Sequence, residues 1–288
     1  MRLFLRDCII VIALVGSVLF LLPNPPVFNN NIGYKHHYIV QHADGIKTLI
    51  IGHSHFENGL NPHELGDSAF NLASAGRPYH YDVQILKEYL PTLPNVRTVL
   101  FPLRYRLSDS DFFKKRFQQG LFEDYYFGWD MMPPETYANN FKRPVKFIPH
   151  FRKYKKDRYT VDSLGYESAQ ITPQPMTEIE ATSLSSQSEF GMAILYLEEM
   201  AEICARQGVR FIVLACPQSN LFLQYVTSDG IEKMDWVIAK ASEQYPIEYG
   251  NYMSDSAFRA DTLYRDWTHL NHTGATLFAQ RVKQDFGL

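Results

Sequence analysis

Cysteine is scarce in this chain. Of the three present, Cys8 lies in the apolar N-terminus, which leaves only Cys204 and Cys216. Neither falls in a Cys-x-x-Cys or Cys/His ligand spacing, so no metal site is expected. Export would permit a Cys204–Cys216 bridge, but two buried thiols acting as small apolar residues is the preferred reading. An excess of one charge is also missing. The formal net charge of −3 exerts no global pull on nucleic acid, which is not expected as a partner. Internal repeats and low-complexity tracts are absent as well. What remains is an ordinary globular composition, 45% hydrophobic and 20% charged over 288 residues. A chain of that length buries enough surface to need no disulfide framework.

The N-terminus carries its own pattern. Arg2 and Arg6 precede an uncharged run from Cys8 to Leu22, and Pro23-Asn24-Pro25-Pro26 then stops any helix. The run is shorter than the roughly 17–25 residues of a spanning helix. Extending it back to Leu3, with Arg6 snorkelling to the headgroups, makes up the length. No small-x-small cleavage site follows Leu22. Residues 1–22 are therefore read as an uncleaved signal anchor with its two arginines on the cytoplasmic side. A cleaved signal peptide is the alternative. Either way the rest of the chain is exported. Residues 23–44, rich in Asn, Pro and His without apolar periodicity, read as a linker.

From residue 45 to 288 the pattern is one α/β domain. Apolar, β-branched runs at Ile46–Gly52, Ala69–Ala73, Val96–Phe101, Val209–Cys216 and Ile247–Tyr249 predict strands, the third stopped at Pro102. Helical spacing predicts helices over Tyr81–Leu90, Ser188–Gln207, Gly230–Tyr245 and Thr273–Phe286. Strands alternating with long helices imply a mostly parallel sheet covered on both faces, a three-layer α/β/α arrangement. Residues 105–187 break the alternation and read as an insertion or lid after the third strand. It holds a basic cluster from Lys142 to Arg158, which suits an anionic lipid or polysaccharide or is simply a solvated face.

Two motifs carry chemistry. Leu49-Ile50-Ile51-Gly52-His53-Ser54-His55 runs a buried strand into a tight turn and a serine at its carboxyl end, where ligands bind in open α/β sheets. Arg265-Asp266-Trp267-Thr268-His269-Leu270-Asn271 places an Asp and a His three residues apart before the last helix. Such a pair makes His269 a base for Ser54, with Asp266 fixing its tautomer. Each motif alone is weak, since strand–Gly–x–Ser begins many loops and Asp-x-x-His caps many helices. Asp255 is a rival acid. His53 and His55 flank the serine in a hydrogen-bonded loop role, and Asn58 and Asn61 read as capping or turn residues.

Together, and in this chain order, the two motifs resemble the SGNH (GDSL-like) hydrolases. Gly52-His53-Ser54 stands where that family has Gly-Asp-Ser, and Asp266-Trp267-Thr268-His269 matches its last block. Phe70-Asn71-Leu72-Ala73-Ser74-Ala75-Gly76 looks like its second block. The resemblance implies a flavodoxin-like fold, a Ser54–His269–Asp266 triad, and an oxyanion hole from the backbone N–H groups of Ser54 and Gly76. It covers about 46–104 and 188–288, without the insertion. The family's third-block asparagine is missing from Phe101-Pro102-Leu103-Arg104-Tyr105-Arg106, and Arg104 is the candidate substitute or anchor for an anionic substrate.

With its signal anchor and His-Leu-Asn ending, the chain looks most like envelope proteins of that family associated with glycan O-acylation. That implies an esterase or O-acetyltransferase needing no cofactor, membrane-anchored, with its domain in the bacterial periplasm or at the cell surface. The expected partners are a glycan or acyl-ester substrate and the cytoplasmic membrane. The alternatives are a catalytically inactive glycan-binding or scaffolding protein on the same fold, and an envelope assembly factor holding a partner through the insertion.

Overall fold

The computed structural model describes residues 31–66, 68–105, 160–169 and 190–288. The anchor expected over 1–22, the start of the linker and the Lys142–Arg158 cluster lie outside them. Among the described residues, no helix is long and apolar enough to cross a membrane.

Five strands form one sheet in the order β2-β1-β3-β4-β5, every pair parallel. They are β1 Thr48–Ile50, β2 Ala69–Asn71, β3 Thr98–Leu103, β4 Arg210–Ala215 and β5 Glu248–Asn251. Alternate strand residues face opposite layers, because successive side chains of a strand point to opposite sides. Leu49, Phe70, Val99, Phe101, Phe211 and Val213 enter one core. Helices α1 Asn31–Gln41, α4 Tyr79–Tyr89, α5 Phe190–Arg206 and α7 Ser228–Ala241 supply its other side. Ile50, Leu100, Ile212 and Leu214 enter the second core, under α2 Ser54–Glu57, α3 Pro62–Leu65 and α8 His272–Phe286. Between β4 and α7 lies the short α6, Asn220–Leu223. The expected α/β class with a covered parallel sheet is what the chain adopts. Each fully buried Leu or Ile in these layers contributes about 1.5–3 kcal/mol.

Three segment readings need correction. Residues 31–41 of the supposed linker form α1, which packs on the domain. Ile32, Lys35 and Ile39 share its buried face, and Tyr38 stacks on Phe70 of β2 with ring centroids 4.3 Å apart. The stripe was invisible as apolar periodicity because its middle member is a lysine. Second, β3 does not stop at Pro102 but runs on to Leu103, paired with β4. Leu100 C=O accepts from Ile51 N–H at 3.0 Å. Two residues on, the missing N–H of Pro102 therefore faces the β1 side, where β1 has already turned away. A proline without a donor fits there.

The third correction concerns residues 105–187. Tyr105 belongs to the domain: its ring meets Phe222 edge-on and its hydroxyl accepts from Thr227 N–H at 3.1 Å. Residues 160–169 also dock on the core. Val161, Leu164, Tyr166 and Ala169 are buried, and Leu164 C=O accepts from Asn71 N–H at 2.8 Å, covering the edge of β2. Other parts of this stretch lie outside the described residues.

Candidate active site

In a parallel sheet every strand delivers its carboxyl end to the same edge. Chain connections leave β1 to opposite sides, toward β2 and then back to β3, so a crevice opens between β1 and β3. Gly52 turns the chain there with φ +112°, a conformation that L side chains rarely adopt. Ser54 then opens α2, half-buried at the edge.

The last block arrives from the other side. Asn71 and Asn271 are both fully buried and pin the loops that frame the site. Asn271 Oδ1 accepts from Gly274 N–H at 3.1 Å to cap α8, and its amide donates to the Thr262 and Tyr264 carbonyls at 2.7 and 3.3 Å. Arg265 N–H bonds His269 C=O at 2.8 Å, closing 265–269 into a small loop while Leu270 plugs the core beneath. Ser219 Oγ donates to Trp267 C=O at 2.6 Å, and the Trp267 ring stacks on Phe222, 5.4 Å between centroids.

This framing brings Ser54, His269 and Asp266 together. His269 Nδ1 lies 2.9 and 3.0 Å from the two Asp266 oxygens. A carboxylate only accepts, so Nδ1 carries the imidazole proton and Nε2 presents its lone pair. Ser54 Oγ, 2.8 Å from Nε2, donates to it. Burial alone would raise the Asp266 carboxyl, but hydrogen bonds from the His269 ring and from the Thr268 and His269 N–H groups outweigh it and hold it at about 2. Asp266 is therefore a fixed negative charge beside the His269 ring. Asp255 is elsewhere: its side chain caps the 256–258 turn through Ala257 N–H.

The flanking histidines are ordered by a chain of hydrogen bonds that the sequence did not disclose. Gln218 donates through its amide nitrogen to Cys216 C=O at 3.3 Å, so its oxygen accepts from Thr268 Oγ1 at 2.9 Å. Thr268 then accepts from His55 Nε2–H at 2.7 Å, leaving His55 Nδ1 as acceptor toward His53 Nδ1 at 3.2 Å. The His55 backbone N–H lies 3.4 Å from the same His53 nitrogen, which accepts from it only in the other His53 tautomer. Desolvation pushes both rings well below the ordinary histidine range, aided by Arg104 and neighbouring imidazoles. The His55 ring lies 4.7 Å from the His269 ring between centroids. Gln218 follows the carboxyl end of β4, a position that could have marked it.

The second block lies against the first. Ser74 N–H donates to Gly52 C=O at 2.9 Å, and Gly76 follows with φ +73°. Among the described residues, neither the Ser54 nor the Gly76 N–H has a hydrogen-bond acceptor. Asp82 Oδ1 accepts from Gly52 N–H at 3.0 Å and from buried Arg77 Nε at 2.8 Å. Burial still pushes Asp82 up to about 6, against the pull of Arg77 and Arg104. Arg104 lies over the Tyr79 ring and donates through Nη2 to Arg77 C=O at 2.5 Å, holding the end of the Gly76 loop. Asn58 and Asn61 bond Glu167 C=O and cap α3 respectively. Cys204 and Cys216 are free and buried.

No family model and no curated protein matches this chain. Among solved structures it is similar to a Streptococcus pneumonia protein whose description refers to platelet activating factor. The TM-score is 0.47 at 12% identity, over 96% of this chain and 98% of that one. The likeness is one of outline, and the chemistry of the site stands on its own geometry.

Proposed function

We propose that the chain is a serine-dependent acyl-ester enzyme of the SGNH type, a hydrolase or O-acyltransferase. The observation that carries this reading is the 2.8 Å contact of Ser54 Oγ with His269 Nε2, backed by Asp266 on Nδ1. Ser54 Oγ attacks the acyl carbonyl as His269 takes its proton. The tetrahedral oxyanion is met by the Ser54 and Gly76 N–H groups. Collapse breaks the ester bond, His269 returns the proton to the departing alcohol, and the acyl group stays on Ser54. Water or a sugar hydroxyl, deprotonated by His269, then attacks the acyl carbonyl; the Ser54 Oγ–acyl bond breaks and His269 returns the proton to Ser54 Oγ.

A glycan substrate is favoured by the partly exposed Trp267 beside the triad, since aromatic faces stack on sugar rings. The reading of residues 1–22 as a signal anchor supports a glycan of the cell envelope or an exported polymer. One observation favours a second reading, a non-catalytic glycan-binding or scaffolding protein: Phe101–Arg104 offers no third-block asparagine to the oxyanion. Removing one such donor costs about 2.7–4 kcal/mol of transition-state stabilisation. Turnover of a simple acetyl ester by the wild type and by Ser54→Ala separates the two. The enzyme reading expects turnover that vanishes in Ser54→Ala with the fold intact; equal turnover in both overturns Ser54 as the nucleophile, and none in the wild type supports the binding reading.

A further inference from the structure

One buried ion pair near the site is not part of the triad. Lys35 of α1 and Glu57, the last residue of α2, form an ion pair at 3.2 Å with side chains 0% and 3% exposed. Lys35 Nζ also donates to Ala73 C=O, and Glu57 Oε2 accepts from Ala75 N–H at 2.6 Å. Desolvation lowers the Lys35 pKa, opposed by Glu57. A buried pair of this kind is weak evidence for stability, because desolvating two charges offsets most of their attraction. What the pair does is geometric. Glu57 lies one helical turn beyond Ser54, and its carboxylate grips the N–H of Ala75, the residue before Gly76.

We propose that Glu57 is a positioning residue, with Lys35 as its counter-ion: it fixes the Ala75–Gly76 loop relative to Ser54, so that both oxyanion N–H groups are held in one register. Helix α1 thereby becomes part of the active-site scaffold rather than a tether. The inference deepens the acyl-ester reading and rests on it for its catalytic consequence.

Two full-length variants without buried charge test it: Lys35→Met with Glu57→Gln, which keeps an acceptor for Ala75 N–H, and Lys35→Met with Glu57→Leu, which does not. Replacing a buried pair by neutral groups of similar size commonly leaves folding intact. The Leu variant should lose about 10- to 100-fold in kcat on an acetyl ester at unchanged KM, the scale expected for a misplaced transition-state donor. The Gln variant should stay within about threefold of wild type, and amide exchange at Ala75 should quicken only in the Leu variant. Equal kcat and equal exchange in the two folded variants overturns the proposal. If the wild type shows no Ser54-dependent turnover, the acyl-ester reading fails by itself, and exchange still decides whether Glu57 holds the loop. Should the Leu variant not fold, protection of the Ala75 amide in wild type decides instead: slow exchange supports the clamp and free exchange overturns it.

Discussion

Gly52 and Pro102 occupy the same small space between β1 and β3: a Cβ placed on Gly52 would lie 2.3 Å from Pro102 Cδ. The ring that ends the β1 side of β3 is also the wall against which the chain turns toward Ser54. Gly52→Ala should therefore combine strain at φ +112° with overpacking against the proline. We expect a loss of about 2–5 kcal/mol, read as a lower urea midpoint at unchanged slope. Gly52→Ala with Pro102→Ala should recover the overpacking part and keep the strain.

Asp266 holds the tautomer of His269 and supplies its counter-charge. Asp266→Asn keeps the size but allows an amide N–H to face Nδ1, which favours the wrong tautomer. Ester turnover should fall on the order of 10^4-fold while the fold persists. The carboxyl also sets an acid limit. Its folded pKa is depressed from 3.8 to about 2, so its contribution to stability is present above 3.8 and lost as pH falls through 2. Asp266→Asn should remove that segment of the stability–pH curve.

His53 and His55 act in the same direction at higher pH. Their folded pKa values lie well below the ordinary 6.5, so the unfolded chain takes up protons first. Stability should be complete above pH 6.5 and decline as pH falls below it, by at most about 1.4 kcal/mol per pH unit for each ring. Urea midpoints at pH 7.5 and 5.5 measure this. A His53→Asn, His55→Gln variant should show a flatter slope.

Much of the fold was legible, and the reasons are local. The apolar runs around Leu49, Val99 and Ile212 are strands covered on both faces, and Gly208 ends α5 where its pattern breaks. Helix α1 escaped because Lys35 sits in its apolar stripe, and its partner Glu57 is distant in sequence. The end of β3 was misjudged because a proline is tolerated where the neighbouring strand has departed. For the site, the blocks around Ser54 and Asp266–His269 could be picked out by order and spacing. The Gln218–Thr268–His55 chain and the Glu57 grip on Ala75 could not, since both depend on which loops meet at the carboxyl edge of the sheet.

The central claim is that Ser54 is a nucleophile activated by His269 and Asp266. Incubating the folded protein with a serine-reactive fluorophosphonate and mapping the adduct by mass spectrometry tests it most directly. One adduct is expected, on Ser54, absent from Ser54→Ala and strongly slowed in His269→Ala. No adduct on Ser54, or labelling as fast in His269→Ala as in wild type, would contradict it.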